Sequence, residues 1–402
     1  MKPDSLIALI DDLTSRVEAD RVARLTYDLV RIPSPTCHEQ ACGEFYAEVL
    51  RDYGLEVEVR QPFPESPNVI AWLRGDPAGP TLQFAGHLDT IPLPHPEPYF
   101  REGIVSGRGA ADMKNGLAGM AEMARLLRQA DVALPGTLLL TAYGRHELPE
   151  AHGENLKVLI EEGIHGDAAI ATEGPHEFVA VVGKGQAVWS ITIQREGEPI
   201  HELQGRGQVA HPIGIGCELL RRLEARQREL NQRDDPYLGP DSYFVGQFHS
   251  GDFFNRIPTT CRLVGTRRWS PRSRFPAIRA EIEALCAQLG QDFGVPVQAE
   301  VAFSGEAFEL DPNHPLVGAC QRGYRHVTGR ELPLGGLALL GDVSRLMDWG
   351  AVPSTYLGID STTAHSDQEV CRVEDLVRAT KTYLATALYY FAATWNPRRA
   401  GW

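Results

Sequence analysis

The sequence predicts an α/β protein: a mixed, largely parallel sheet sandwiched by helices, with a separate α+β unit inserted into it. Two patterns carry this reading. Strand-like apolar runs alternate with helical periodicity up to about residue 185, as in strand–helix–strand units around a parallel sheet. Between 186 and 305 the order becomes β-α-β-β-α-β, the split unit of ferredoxin-like domains. Residues 1–185 and 306–402 are therefore read as one discontinuous domain, and 186–305 as the insertion.

The elements follow in chain order. Leu6, Ile7, Ile10, Leu13, Val17, Val22, Leu25 and Leu29 recur at helical spacing and predict one or two amphipathic helices, stopped by Pro33 and Pro35. A helix from Gln40 to Tyr53 ends at Gly54. LEVEVR, NVIAWL and TLQFAG read as strands, Leu117 to Gln129 as a helix, TLLLTAY as a strand, Leu156 to Glu162 as a helix and AAIATEG as a strand. In the insertion, AVWSITIQREG, YFVGQFHSG, CRLVGTRRW and VPVQAEVAFSG are strands, and VAHPIGIGCELLRRLEARQREL and PAIRAEIEALCAQLG are helices.

A length of 402 residues allows two compact units and a sizeable core. Hydrophobic content of 43% and charged content of 23% are ordinary for a globular chain. The net charge of -14 argues against a nucleic-acid partner, which needs clustered Lys and Arg. Seven scattered cysteines without a CxxC predict a reducing compartment. With no signal-like N-terminus and no apolar run approaching ~20 residues, the expectation is a cytoplasmic protein without a membrane partner.

The chemistry concentrates between Phe84 and Leu117. His87 and Asp89 form a His-x-Asp pair just past an apolar strand, where residues two apart can converge. A metal-bound imidazole needs its second ring nitrogen held by an acceptor, so His87 reads as a ligand with Asp89 behind it. Asp112 emerges from a Gly-Arg-Gly turn ahead of a helix, a position from which it can bridge two metal ions. His87, Glu147 and Glu173 each lie just past a strand-like run, where open α/β sheets place their ligands. Singly, each has an ordinary alternative: Asp112 or Glu173 as a helix cap, His365 as a surface histidine.

Together the motifs resemble the aminoacylase and carboxypeptidase family of dinuclear metallohydrolases. That family includes acetylornithine deacetylase, succinyl-diaminopimelate desuccinylase and glutamate carboxypeptidases. RIPSPTCHE, NVIAWLRG, HLDT, GRGAADMK, ATEGP, REGEPIH, NRIP, RWSP, GDVSRL and AHSDQE fall in the family's order across nearly the whole chain. The resemblance implies a zinc-exopeptidase-like catalytic domain and makes the insertion a lid and dimerisation domain. It implies two divalent metal ions per chain: His87 and Glu173 hold one, His365 and Glu147 the other, and Asp112 bridges them. Mixed His and carboxylate ligands suit zinc, and also manganese or cobalt. A cis peptide between Asp112 and Met113 is implied as well. His201 of the lid would stabilise the oxyanion in the partner subunit's active site. Asn255 and Arg268 would bind substrate, Arg suiting bidentate carboxylate recognition. Lys114 and Arg108 look like structural members of the turn around Asp112.

One position departs from the family. Two adjacent glutamates are expected after TLLLTAY, the first a general base and the second a ligand. Here, after a short extra segment, His146 and Glu147 stand there. Glu147 fits the ligand role and His146 takes the base position. Glu147 itself, Glu150 and His152 stay open as bases. The segment is not a zincin HExxH, because Glu150 replaces the second His and Pro149 would interrupt the helix. The predicted activity is hydrolysis, by a homodimer, of an amide C–N bond in an N-acyl amino acid or small peptide-like substrate with a free carboxylate. The departure at His146 keeps two alternatives open: hydrolysis of a non-peptide C–N bond, such as removal of an aromatic amine, or a metal-binding scaffold without catalysis.

Overall fold

The computed structural model describes residues 3–148, 151–233 and 235–395. It divides the chain into two compact units: Met1–Val181, Leu310–Gly335 and Gly341–Trp402 form the first, and Val182–Glu309 with Gly336–Leu340 the second.

The first unit is built on a six-stranded sheet. In spatial order its strands are Glu56–Phe63, Ser66–Leu73, Thr137–Tyr143, Thr81–His87, Ala168–Ala171 and Ser354–Tyr356. The last four run parallel, and the first two form an antiparallel hairpin joined antiparallel to them. Side chains alternate across the sheet with period two. Leu138, Leu140 and Ala142 enter one core, while Leu139 and Tyr143 enter another on the opposite face. Helices Ala19–Arg31, Gln40–Asp52, Lys114–Gln129, Pro315–Thr328 and Val373–Thr394 supply the first core, and Glu154–Glu161 and Asp342–Gly350 the second. With both faces covered, the parallel strands read as continuous apolar runs.

The helix Lys114–Gln129 is buried from Lys114 through Leu127. Its first residue donates to the carbonyls of Leu29 at 2.9 Å and Ile32 at 2.8 Å, placing a cation at the C-terminal end of helix Ala19–Arg31 and tying the two helices together. Gly116 lets this helix touch the neighbouring strand end. A Cβ there would lie 2.1 Å from the carbonyl oxygen of Thr172, the residue before Glu173.

The second unit is a four-stranded antiparallel sheet in the order Ser242–Ser250, Thr260–Trp269, Gly185–Gln194, Val297–Gly305. Helices Pro212–Leu230 and Phe275–Phe293 cover one face, packing Leu219, Leu223, Ile278 and Ile282 on Trp189, Ile191 and Ile193.

The strands and helices expected from periodicity are present, with ends shifted by a few residues. The central strand extends to His87 itself, and the following helix starts at Lys114 rather than Leu117. The helices Pro315–Thr328, Asp342–Gly350 and Val373–Thr394 were not foreseen. Nor was a small sheet of Tyr99–Arg101, Ile104–Ser106 and Val370–Arg372, whose strands are too short to show a period. Among the described residues no helix is long and apolar enough to cross a membrane.

The close approach at Gly116 gives a test. Gly116→Val should force the helix away from the Thr172–Glu173 strand end and cost about 1–3 kcal/mol, the usual range for overpacking. Metal affinity should fall with it. Wild-type chemical denaturation and unchanged metal titration in this variant would contradict the backbone-to-backbone packing.

Candidate active site

The carboxyl ends of the parallel strands bring the predicted ligands together. Thr81–His87 ends on fully buried His87, Thr137–Tyr143 leads to His146 and Glu147, and Ala168–Ala171 leads to Glu173. His87 Nε2 lies 3.1 Å from Asp112 Oδ1 and 3.7 Å from Glu173 Oε2. His365 arrives from the C-terminal part of the chain on a left-handed backbone, φ 63°. Its Nε2 lies 3.4 Å from Asp112 Oδ2 and 3.2 Å from Glu147 Oε2. The two oxygens of Asp112 therefore face two different histidines. The peptide bond from Asp112 to Met113 is cis.

Asp89 differs in detail from the expectation. The Nδ1 edge of His87 meets the Asp89 carbonyl at 2.9 Å, while the Asp89 carboxylate is 3.6 Å away. That carboxylate is spent on the neighbouring loop instead. Its Oδ2 accepts from the backbone N–H groups of His146 and Glu147, each at 2.9 Å, and from Thr36 Oγ1 at 2.8 Å.

A second buried carboxylate, Glu369, does the same for Asp112. Its Oε1 accepts from the N–H groups of Gly109, Ala111 and Asp112 at 3.0–3.1 Å. Its Oε2 pairs with Arg108 at 3.1 Å. Arg108 and Lys114 thus support this region structurally. Sequence reasoning missed Glu369, although it lies inside the quoted AHSDQE motif.

The His146 ring stacks on that of His87, with centroids 4.1 Å apart and planes 2° apart. Its Nδ1 lies 2.9 Å from Oδ1 of Asp342, a second residue missed from sequence. Among the alternatives to His146, Glu150 lies outside the described residues. In the second unit, His201 sits on the short antiparallel pairing of Ile200–His201 with Arg256–Ile257. Its Nε2 lies 3.2 Å from Asn255 Nδ2. Arg268 stands on a strand of the same unit and donates to the Ala338 carbonyl at 2.8 Å.

The electrostatics of the cluster call for positive charge. Asp112 and then Glu147 pull the pKa of His365 up to about 10. Burial opposes a charge on His87, yet Asp112 and Glu173 raise its pKa well above the usual value. Burial also pushes the Glu173 carboxyl up. Among the described residues, the ion-pair partners of Asp112, Glu147 and Glu173 are these two histidines. Three clustered carboxylates with only imidazoles beside them fit divalent cations, which bring the missing charge. Ligand atoms of His87, Asp112 and Glu147 lie within 4.8 Å of one another, as do those of His87, His146 and Glu173.

Known proteins resemble this chain over most of its length. The model of Peptidase family M20/M25/M40 matches residues 83–389. Succinyl-diaminopimelate desuccinylase of Ectopseudomonas mendocina is 27% identical over 92% of this chain and 97% of its own. Among solved structures, aminopeptidase PepT from Bacillus cereus superposes with a TM-score of 0.79 at 19% identity, covering 93% of this chain and 99% of that one. The Bacillus subtilis YXEP protein, a dinuclear metal binding peptidase, gives 0.68 at 16% identity over 92% and 97%. At these identities the two structures show a shared fold.

The raised pKa of His365 sets the sign of a pH effect. In metal-free protein its stabilising charge is fully present below about 6.5, the unfolded value, and is lost as pH rises through about 10. The Tm of metal-free protein should therefore fall over that window, and fall less in His365→Gln. Loading with zinc should flatten the slope. Identical pH profiles for the metal-free wild type and His365→Gln would refute this account.

Proposed function

Because the chain belongs to peptidase family M20/M25/M40, and so is a hydrolase of C–N bonds, we propose that it cleaves an amide bond in an N-acyl amino acid or small peptide-like substrate with a free carboxylate. The observation that carries this reading is the placement of Asp112, one oxygen toward His87 and the other toward His365. His87 and Glu173 would hold one metal ion, His365 and Glu147 the other, and Asp112 both. Zinc is the first choice for this ligand set, with manganese or cobalt as substitutes. Two such ions would polarise a scissile carbonyl and lower the pKa of a water molecule toward neutrality.

The remaining work falls to the chain's own side chains. His146, beside His87, takes the place of the family's base and accepts a proton at Nε2, the ring nitrogen that Asp342 leaves free. The second unit serves as lid and dimerisation domain. His201, with Asn255 against it, serves the oxyanion in the partner subunit's site. Arg268 offers its guanidinium to the substrate carboxylate.

The test is turnover of acyl-amino acids, dipeptides and aryl amines by zinc- or manganese-loaded protein, beside His87→Ala. Acyl or peptidyl substrates should be hydrolysed with two metals bound, and both activity and metal should drop in the variant. Turnover of aryl amines alone would replace this reading with amine removal, and metal binding without any turnover would replace it with a scaffold. His146→Ala should lower kcat by roughly 10²-fold with metals retained, whereas Glu147→Ala should lose metal. Mixing inactive His201→Ala with inactive Asp112→Ala chains should restore activity through hybrid dimers. A fully active monomer in sedimentation would sink the shared-site arrangement.

A further inference from the structure

His146 meets a buried carboxylate that is none of the candidate metal ligands, Asp342. We propose that Asp342, backed by Arg345, is a positioning residue that locks His146 in its Nδ1–H tautomer and leaves the Nε2 lone pair free for the cluster. The proposal rests on the reading that His146 acts in the active site.

Asp342 opens the helix Asp342–Gly350 and is 1% exposed. Its Oδ2 accepts from Tyr143 Oη at 2.6 Å. Its Oδ1 lies 2.9 Å from His146 Nδ1 and 2.9 Å from Arg345 Nη1. Arg345 Nη1 is itself 3.1 Å from His146 Nδ1, so the three groups form a tight triangle. An ionised carboxylate only accepts and a guanidinium only donates, so a neutral imidazole leaves the triangle two solutions. With the proton on Nδ1, Oδ1 takes one donor on each of its lone pairs. With the proton on Nε2, the lone pairs of Nδ1 and Oδ1 would face each other at 2.9 Å, with Arg345 Nη1 left to serve both. At a carboxylate this buried, water is not at hand to repair that conflict, and an unsatisfied buried acceptor costs about 1–3 kcal/mol. The first solution therefore prevails.

The ring has little freedom left. Its main-chain N–H is held by Asp89, its plane by the stack on His87, and one edge by Asp342. Arg345 lies one helical turn after Asp342, the spacing at which side chains meet on a helix. Its guanidinium donates to Asp342 Oδ1 and holds that carboxylate against His146. A histidine with only a packing role would not need its plane, edge and tautomer all specified.

The discriminating variant is Asp342→Asn, which keeps the shape but allows the side chain to donate to Nδ1 and so favours the wrong tautomer. An isosteric change of this kind behind a catalytic histidine can cost about 10⁴-fold in kcat. Here kcat should fall 10²- to 10⁴-fold, with two metals per chain and KM little changed. In His146→Gln, adding Asp342→Asn should cost nothing further, because the two act as a unit. A merely structural Asp342 would multiply the loss. Nitrogen-15 histidine spectra of zinc-loaded protein, assigned by the signal missing in His146→Gln, should show Nδ1 protonated in wild type and Nε2 protonated in Asp342→Asn. Nε2–H in the wild type overturns the proposal even where Asp342→Asn fails to fold. So does a switched tautomer with unchanged kcat, or full additivity in the double variant. If no substrate is turned over, the active-site reading fails separately, while the spectra still decide the tautomer.

Discussion

Three carboxylates held in one partly buried space are the constraint around which the first unit is organised. Asp112, Glu147 and Glu173 come from three separate stretches of chain, and their mutual repulsion grows as water is removed. Nothing in local sequence preference would bring them together. The parallel sheet does it by ending neighbouring strands at one edge, so that their following loops share a single mouth. The repulsion is met by the imidazoles of His87 and His365, and would be met further by the divalent cations this ligand set fits. In that sense stability and function draw on the same charge.

Holding such a cluster takes a ring of further acids that face away from it. Asp89 gathers the backbone of His146 and Glu147, and Glu369 gathers the turn from Gly109 to Asp112. Glu39 repeats the device, accepting from the N–H groups of Cys37 at 2.8 Å and Arg145 at 2.9 Å. Each replaces missing strand or helix hydrogen bonds in irregular chain, where an unpaired buried amide would be costly. Asp342 is the exception. It grips side chains and so governs protons rather than loop shape.

Much of this was legible in the sequence. His87 was readable because an apolar strand ends on it, and Asp112 because a glycine-rich turn meets a helix there. The split insertion was readable from the order of its periods. Glu369 and Asp342 were not, because their decisive partners lie 257 and 196 positions away along the chain. Such long-range bonds leave no local periodicity or spacing to read. For Asp89 the residue was recognised but its bonding was not, since a choice between carbonyl and carboxylate depends on how the chain turns after the strand. The His146 replacement stood out against the family pattern, yet what fixes its ring became visible only when helix Asp342–Gly350 was placed beside it.

The two histidines that face Asp112 are unlike in one respect. His87 is sealed beneath the sheet edge, whereas the His365 side chain is 51% exposed on a loop. Their freedom to let go is therefore unequal. A metal ion held through His365 would keep a ligand that can swing into solvent, whereas one held through His87 would keep a ligand with no solvent to swing into.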